Sequence, residues 1–108
     1  MLPLISLAEP WGTTQDVTTA TTVLTPTTKI QNVTVYNSGD TVIAVNVNMS
    51  TNAFYTAFTN NTVPRVLSKQ ILTLEYKTYS PGSAQLQLIT SVLVRAASGT
   101  NHVAISGY

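Results

Sequence analysis

Lys29 to Met49 reads KIQNVTVYNSGDTVIAVNVNM, and this stretch decides the fold. Two runs rich in β-branched residues flank Asn37-Ser38-Gly39-Asp40, and each alternates apolar with polar positions. In the second run Ile43, Val45, Val47 and Met49 share one parity, while Asn46 and Asn48 share the other. A period of two belongs to a strand with one buried and one wet face. Asn, Ser, Gly and Asp between the runs favour the positive φ and local side-chain bonds of a tight turn. The stretch therefore predicts an antiparallel hairpin at the centre of an all-β domain.

Working outward, Val17 to Thr25 (VTTATTVLT) reads as an earlier strand that Pro26 ends. Downstream, Ser50 to Asn61 is polar with Phe54, Tyr55 and Phe58 in its middle, which suits a short helical turn or a cap over one end of the core. Val63–Leu67 and Gln70–Lys77 follow as strands; in the second, Leu72, Leu74 and Tyr76 share one face and Ile71, Thr73 and Glu75 the other. Ser80-Pro81-Gly82-Ser83 is a turn by composition. Gln85 to Thr90 alternates again, and Val92–Ala97 and His102–Tyr108 flank Ser98-Gly99-Thr100-Asn101 as a second predicted hairpin. Short strands with regular turns imply a sandwich or small barrel. The expectation is a single antiparallel β-sandwich of jelly-roll or immunoglobulin-like type, about seven or eight strands over residues 17–108. Its 108 residues make one domain.

Charge is the unusual quantity. Charged residues are 8% of the chain, against about 25% in an ordinary soluble domain. The net charge of +1 comes from five basic and four acidic residues scattered along the sequence. A nucleic-acid surface needs clustered cations to neutralise phosphates, and none is present. Neutral polar surfaces of low net charge associate readily, which points to a protein that lives inside an assembly. The alternative is a soluble domain that simply favours Thr and Asn.

Met1 to Asp16, MLPLISLAEPWGTTQD, opens apolar and is interrupted by Pro3, Pro10 and Gly12. No positive region precedes its short apolar run, as a secretory signal would require, and the run is too short to span a bilayer. An extended arm is the simplest reading, with Leu2, Leu4, Ile5, Leu7 and Trp11 as the residues that would bind a partner. Packing of the arm on its own domain is the competing reading.

Chemistry finds no foothold in these residues. His102 is the single histidine and cysteine is absent, so neither a His pair nor a thiolate metal site can form. The catalytic, metal and cofactor expectation is none. A serine nucleophile would need His102 and an oriented carboxylate; the four carboxylates sit at unrelated positions, and no Gly-x-Ser-x-Gly elbow occurs. Neither phosphate-binding nor dinucleotide fingerprints are present. Asn-x-Ser/Thr triplets at Asn32, Asn48 and Asn60 are expected by chance in so Ser/Thr-rich a chain.

IQNVTVYNSGDTVIAVNV at Ile30–Val47 and VLVRAASGTNHVAISGY at Val92–Tyr108 resemble small β-sandwich proteins of tailed-bacteriophage virions. Proteins of this kind are capsid decoration (cement) proteins, neck or collar components, and fibre modules, often trimeric. The resemblance implies a non-enzymatic virion protein assembled in the host cytoplasm. Its implied partners are the major capsid protein or other virion subunits, with further copies of itself in a trimer, and neither nucleic acid nor membrane. Decoration through the arm and a domain face is the leading expectation; a neck, collar or tail-fibre attachment module is the alternative. A carbohydrate-binding sandwich is the expectation from another class, with Phe54, Tyr55, Phe58, Tyr76 or Tyr79 stacking on sugar rings.

Overall fold

The computed structural model describes residues 10–80, 83–86 and 88–108, with the strands at 77–80 and 83–86 described by their backbone alone. Two four-stranded antiparallel sheets face one another. The first contains β1 (Trp11–Val17), β10 (Asn101–Gly107), β3 (Asn32–Asn37) and β6 (Ile71–Glu75), in that spatial order. The second contains β2 (Thr22–Leu24), β9 (Val92–Ala96), β4 (Ile43–Val47) and β5 (Arg65–Val66). A separate hairpin, β7 (Lys77–Ser80) with β8 (Ser83–Leu86), sets Ser80 opposite Ser83, where the composition predicts a turn. The spatial orders 1-10-3-6 and 2-9-4-5 are those of a jelly roll, in which paired stretches of chain wrap together around the barrel-like core.

That topology corrects the predicted hairpins. β3 and β4 do not pair. β3 bonds to β10 and β6, whereas β4 bonds to β9 and β5 in the opposite sheet. The same holds for β9 and β10. Both connections are corners that carry the chain from one sheet to the other. The reason lies in burial: Val33 and Val35 of β3 meet Ile43, Val45 and Val47 of β4 within one core cluster, together with Val92, Val94, Val103 and Ile105. A hairpin would place both apolar faces on the same side of that core; the corner lets them face each other across it.

Two asparagines hold the corners together. Asn37, at the end of β3, and Asn101, at the start of β10, are the buried polar residues among those described. Asn37 Nδ2 donates to the carbonyls of Thr41 at 2.7 Å and Val66 at 3.0 Å. Its Oδ1 accepts from Gly39 N at 3.0 Å and from Asn101 Nδ2 at 3.2 Å. Asn101 Nδ2 also donates to Thr41 O, and its Oδ1 accepts from Thr41 N at 3.2 Å. Buried amides satisfied to this degree specify one arrangement, because slipping either corner would strand several polar groups. Gly39 is required here for space. A Cβ on it would lie 2.4 Å from Asn101 Oδ1, and its φ is not positive; the left-handed turn glycine is Gly99, at φ 62°.

The arm boundary also moves. Trp11–Asp16 belong to β1, paired along their length with β10 from Trp11↔Gly107 to Val17↔Asn101, and Trp11 packs against the main core. Trp11 is thus half-buried against its own domain. Alternation in Trp11–Val17, with every second residue more exposed, is the strand signal that Gly12 and the run of Thr and Gln obscured in the sequence. Leu2, Leu4, Ile5 and Leu7 lie outside the described residues.

On the outer side of the second sheet lies α1 (Thr51–Thr59). Ser50 caps it, accepting a hydrogen bond from Ala53 N at 3.1 Å, which satisfies one of the orphan donors of the first turn. Phe54 is fully buried with Ala44, Val63 and Leu93 in a second core. This explains the polarity of the sequence around it: one buried ring and a flanking apolar stripe suffice for a helix that covers only part of a sheet.

Candidate interaction surfaces

The outer face of the β1-β10-β3-β6 sheet is the broadest feature that the register defines. One row across it reads Thr14, Ala104, Tyr36, Ile71, and the next Gly12, Ser106, Thr34, Thr73. Neither row contains a charge. Thr34 Oγ1 and Thr73 Oγ1 share a hydrogen bond of 3.1 Å, a cross-strand pairing that leaves the face neutral. Ile71 is 64% exposed on the edge strand, beside Tyr36 at 38%. Among the described residues, charges appear at the margins of this face, as Asp16 and His102 at one end and Glu75 at the other.

Asp16 and His102 form a contact that the sequence concealed, since they are 86 positions apart. Directly opposite one another in the β1–β10 register, they bring His102 Nδ1 to 2.7 Å from Asp16 Oδ1. Both side chains are largely exposed. A His–Asp pair is two-thirds of a nucleophilic triad; the Ser38 hydroxyl donates to the main-chain carbonyl of His102 at 2.8 Å. The pair is therefore a cross-strand contact. Among the described residues no group of three or more His, Cys, Asp or Glu side chains can hold a metal ion, and no helix is long and apolar enough to cross a membrane.

The aromatics that the sequence offered as a platform separate in the structure. Phe54 is buried core, which removes it from the surface. Phe58 packs against the same cluster while its ring faces two cations. Tyr76 packs against the main core, and the side chain of Tyr79 lies outside the described residues. Tyr55 alone of the helical trio is widely open, at 53% exposure.

Arg65 and Arg95 are the residues that sequence reasoning missed at this place. Both are partners of Ala44 in the register, one on β5 and the other on β9, so they flank the fully buried Ala44 across three neighbouring strands. Phe58 sits over that spot. The Arg95 guanidinium carbon lies 4.2 Å from the Phe58 ring centroid and 5.2 Å from that of Tyr55; the Arg65 carbon lies 4.8 Å from Phe58. Such contacts are each worth about 0.5–2 kcal/mol, more where water is excluded, and they pin α1 to the sheet. Arg65 Nη2 also donates to Phe58 O at 3.1 Å and to Asn61 Oδ1 at 2.7 Å. No local motif announces the pair, because 30 positions separate residues 65 and 95.

No family model matches the chain, and no curated protein matches it. A solved structure described as "Crystal structure of PirA" is similar over 91% of this chain and 93% of that one, at 13% identity and a TM-score of 0.42. A likeness of that size carries no argument about function.

Proposed function

We propose that the chain is a non-enzymatic structural subunit of a virion that decorates the capsid shell. The observation that carries the reading is the uncharged outer face of the β1-β10-β3-β6 sheet, with Tyr36 and Ile71 exposed side by side. A neutral face loses little solvation on docking, and an exposed aromatic beside an exposed aliphatic residue supplies an apolar anchor. The resemblance of Ile30–Val47 and Val92–Tyr108 to small virion sandwiches supports a virion as the assembly.

Area decides what else must take part. Four strands about 4.8 Å apart and about five residues deep give a face of roughly 300 Å² in projection. A stable interface takes about 800 Å² from each partner. The apolar residues Leu2, Leu4, Ile5 and Leu7 would supply the remainder as a tether on the neighbouring subunit. Each copy would then bridge shell subunits and raise the barrier to rupture, with further copies of the chain as immediate neighbours in a trimer.

Gold-label electron microscopy of particles carrying a C-terminally tagged copy tests the reading. Label over the whole head means decoration. Label at one vertex or on the tail means a neck, collar or fibre role, and no label on any particle rejects a virion role. Removal of residues 1–9 is expected to abolish attachment while the domain stays folded; removal of residues 1–16 would also delete most of β1, so the cut is placed before it. The exposed ring of Tyr55 favours one reading of another class, carbohydrate binding. That reading requires glycan binding lost in Tyr55→Ala, and a flat glycan panel removes it.

A further inference from the structure

From the surroundings of Arg95 we infer a second binding site, independent of the virion reading: an oxyanion site formed by Arg95 and Arg65 beside the open ring of Tyr55. Its ligand class is a carboxylate or phosphate group.

Arg95 donates no hydrogen bond among the described residues, and its Nε is buried without a partner. Guanidinium is a fork of five donors. Leaving such a donor buried and unpaired is costly, and each instance in a folded protein calls for a reason. The terminal nitrogens of Arg95 keep access to solvent, since Nε alone is buried and unpaired. Two aromatic rings, those of Tyr55 and Phe58, lie against the Arg95 guanidinium and remove part of its water.

Charge balance points the same way. Arg65 and Arg95 both lie within 5 Å of the Phe58 centroid, at 4.8 and 4.2 Å, so their guanidinium carbons are at most about 9 Å apart. Neither forms an ion pair among the described residues. Asp16 and Asp40 are committed elsewhere, to His102 and Lys69. Two like charges at this separation, partly desolvated and without a carboxylate, raise the local potential and favour an anion beside them. Arginine forks match the paired oxygens of carboxylate and phosphate. Partial removal of water strengthens the attraction relative to an ordinary surface lysine, and an anion at the terminal nitrogens of Arg95 gives them hydrogen bonds that the fold does not supply, while Nε stays buried. Clamping α1 explains the ring contacts of both arginines; it leaves the unpaired donors of Arg95 and the uncompensated charge of the pair unexplained.

The test is a titration of the full chain, labelled with ¹⁵N at arginine, in buffer with chloride at physiological strength. Sodium phosphate, sodium acetate and sodium glucuronate are the probes, and neutral glucose is the control. Expected are saturating shifts of the Arg95 and Arg65 Nε–H signals on one isotherm, with a Kd of about 1 mM or tighter for at least one anion and no effect of glucose. Arg95→Gln and Arg65→Gln should each weaken binding about tenfold or more. Arg95→Lys, which keeps the charge and loses the fork, should weaken it by a smaller factor and serves in place of Arg95→Gln if that variant does not fold. Phosphate binding tightest identifies a phosphate site. Glucuronate binding several-fold tighter than acetate, with the difference lost in Tyr55→Ala, identifies an acidic sugar. Shifts that never saturate, or that persist unchanged in the Arg95 variant, overturn the proposal.

Discussion

Replacing Asn37 by Ala is the most informative perturbation of the fold. It removes four hydrogen bonds at once: two donated to Thr41 O and Val66 O, and two accepted from Gly39 N and Asn101 Nδ2. A buried bond of this kind contributes about 1 kcal/mol net, and a donor left unpaired costs about 1–3 kcal/mol. Some acceptors keep another partner, since Thr41 O still accepts from Asn101 Nδ2. The expected loss is therefore about 3–4 kcal/mol. Set against a total of roughly 5–15 kcal/mol for a domain, that is a large share. In a urea titration with a slope of about 1.5 kcal/mol/M, the midpoint should fall by about 2 M with the slope unchanged. Asn101→Ala should cost somewhat less, as it removes three bonds. Because the two amides bond each other and share Thr41 O, the double variant should lose about 1–2 kcal/mol less than the two singles together. Asn37→Asp separates hydrogen bonding from packing, since it keeps the volume but sets a carboxyl against two carbonyl oxygens. Only its protonated form can donate there, so its folded pKa would lie above the unfolded value of about 3.9. That variant should be most stable below about pH 4 and lose stability as pH rises through the folded pKa. A cost for Asn37→Ala below about 1 kcal/mol, or strictly additive singles, would refute the view that this network holds the corners.

Four further outcomes follow from particular positions. Gly39→Ala should cost about 2–4 kcal/mol by denaturant unfolding, since its Cβ would meet the buried Asn101 side chain at 2.4–3.0 Å. Gly99→Ala has open space around it and only a φ of 62° against it, so about 1 kcal/mol is expected. Phe54→Ala empties the second core beneath α1 and should cost about 3–5 kcal/mol, seen as a lowered melting temperature. Ile71→Lys, at an exposed edge position, should change stability by less than about 0.5 kcal/mol yet abolish attachment to particles by charging the neutral face; unimpaired attachment would reject that face as the docking surface.

Much of the architecture was legible locally. Leu72, Leu74 and Tyr76 pack against the core while Ile71, Thr73 and Glu75 are more exposed, as their parity requires. Ile43, Val45 and Val47 likewise point inward, whereas Met49 beyond the strand joins the second core. The helix at Thr51–Thr59 was only half visible: Ser50 is a good cap, but nine residues with one buried ring give a weak 3.6-residue signal. β1 was hidden because Gly12, Thr13, Thr14 and Gln15 carry little hydrophobic contrast, and the strand is held by pairing with β10 near the far end of the chain.

Composition and two-residue alternation were enough by themselves to determine that this chain is a low-charge all-β sandwich. Both properties are sums over local choices, which side chain and which parity. Which sheet each strand joins, and which distant residues meet, belonged to the tertiary structure. An inward-facing valine reads the same in either sheet of a sandwich, so alternation cannot tell a hairpin from a corner; the Asn37–Asn101 network, linking residues 64 positions apart, holds the corner. Arg65 and Arg95 met over Phe58, and Asp16 met His102, for the same reason: strand pairing brings together what the sequence keeps far apart, and the free energy of those contacts exists only once the sheets have closed.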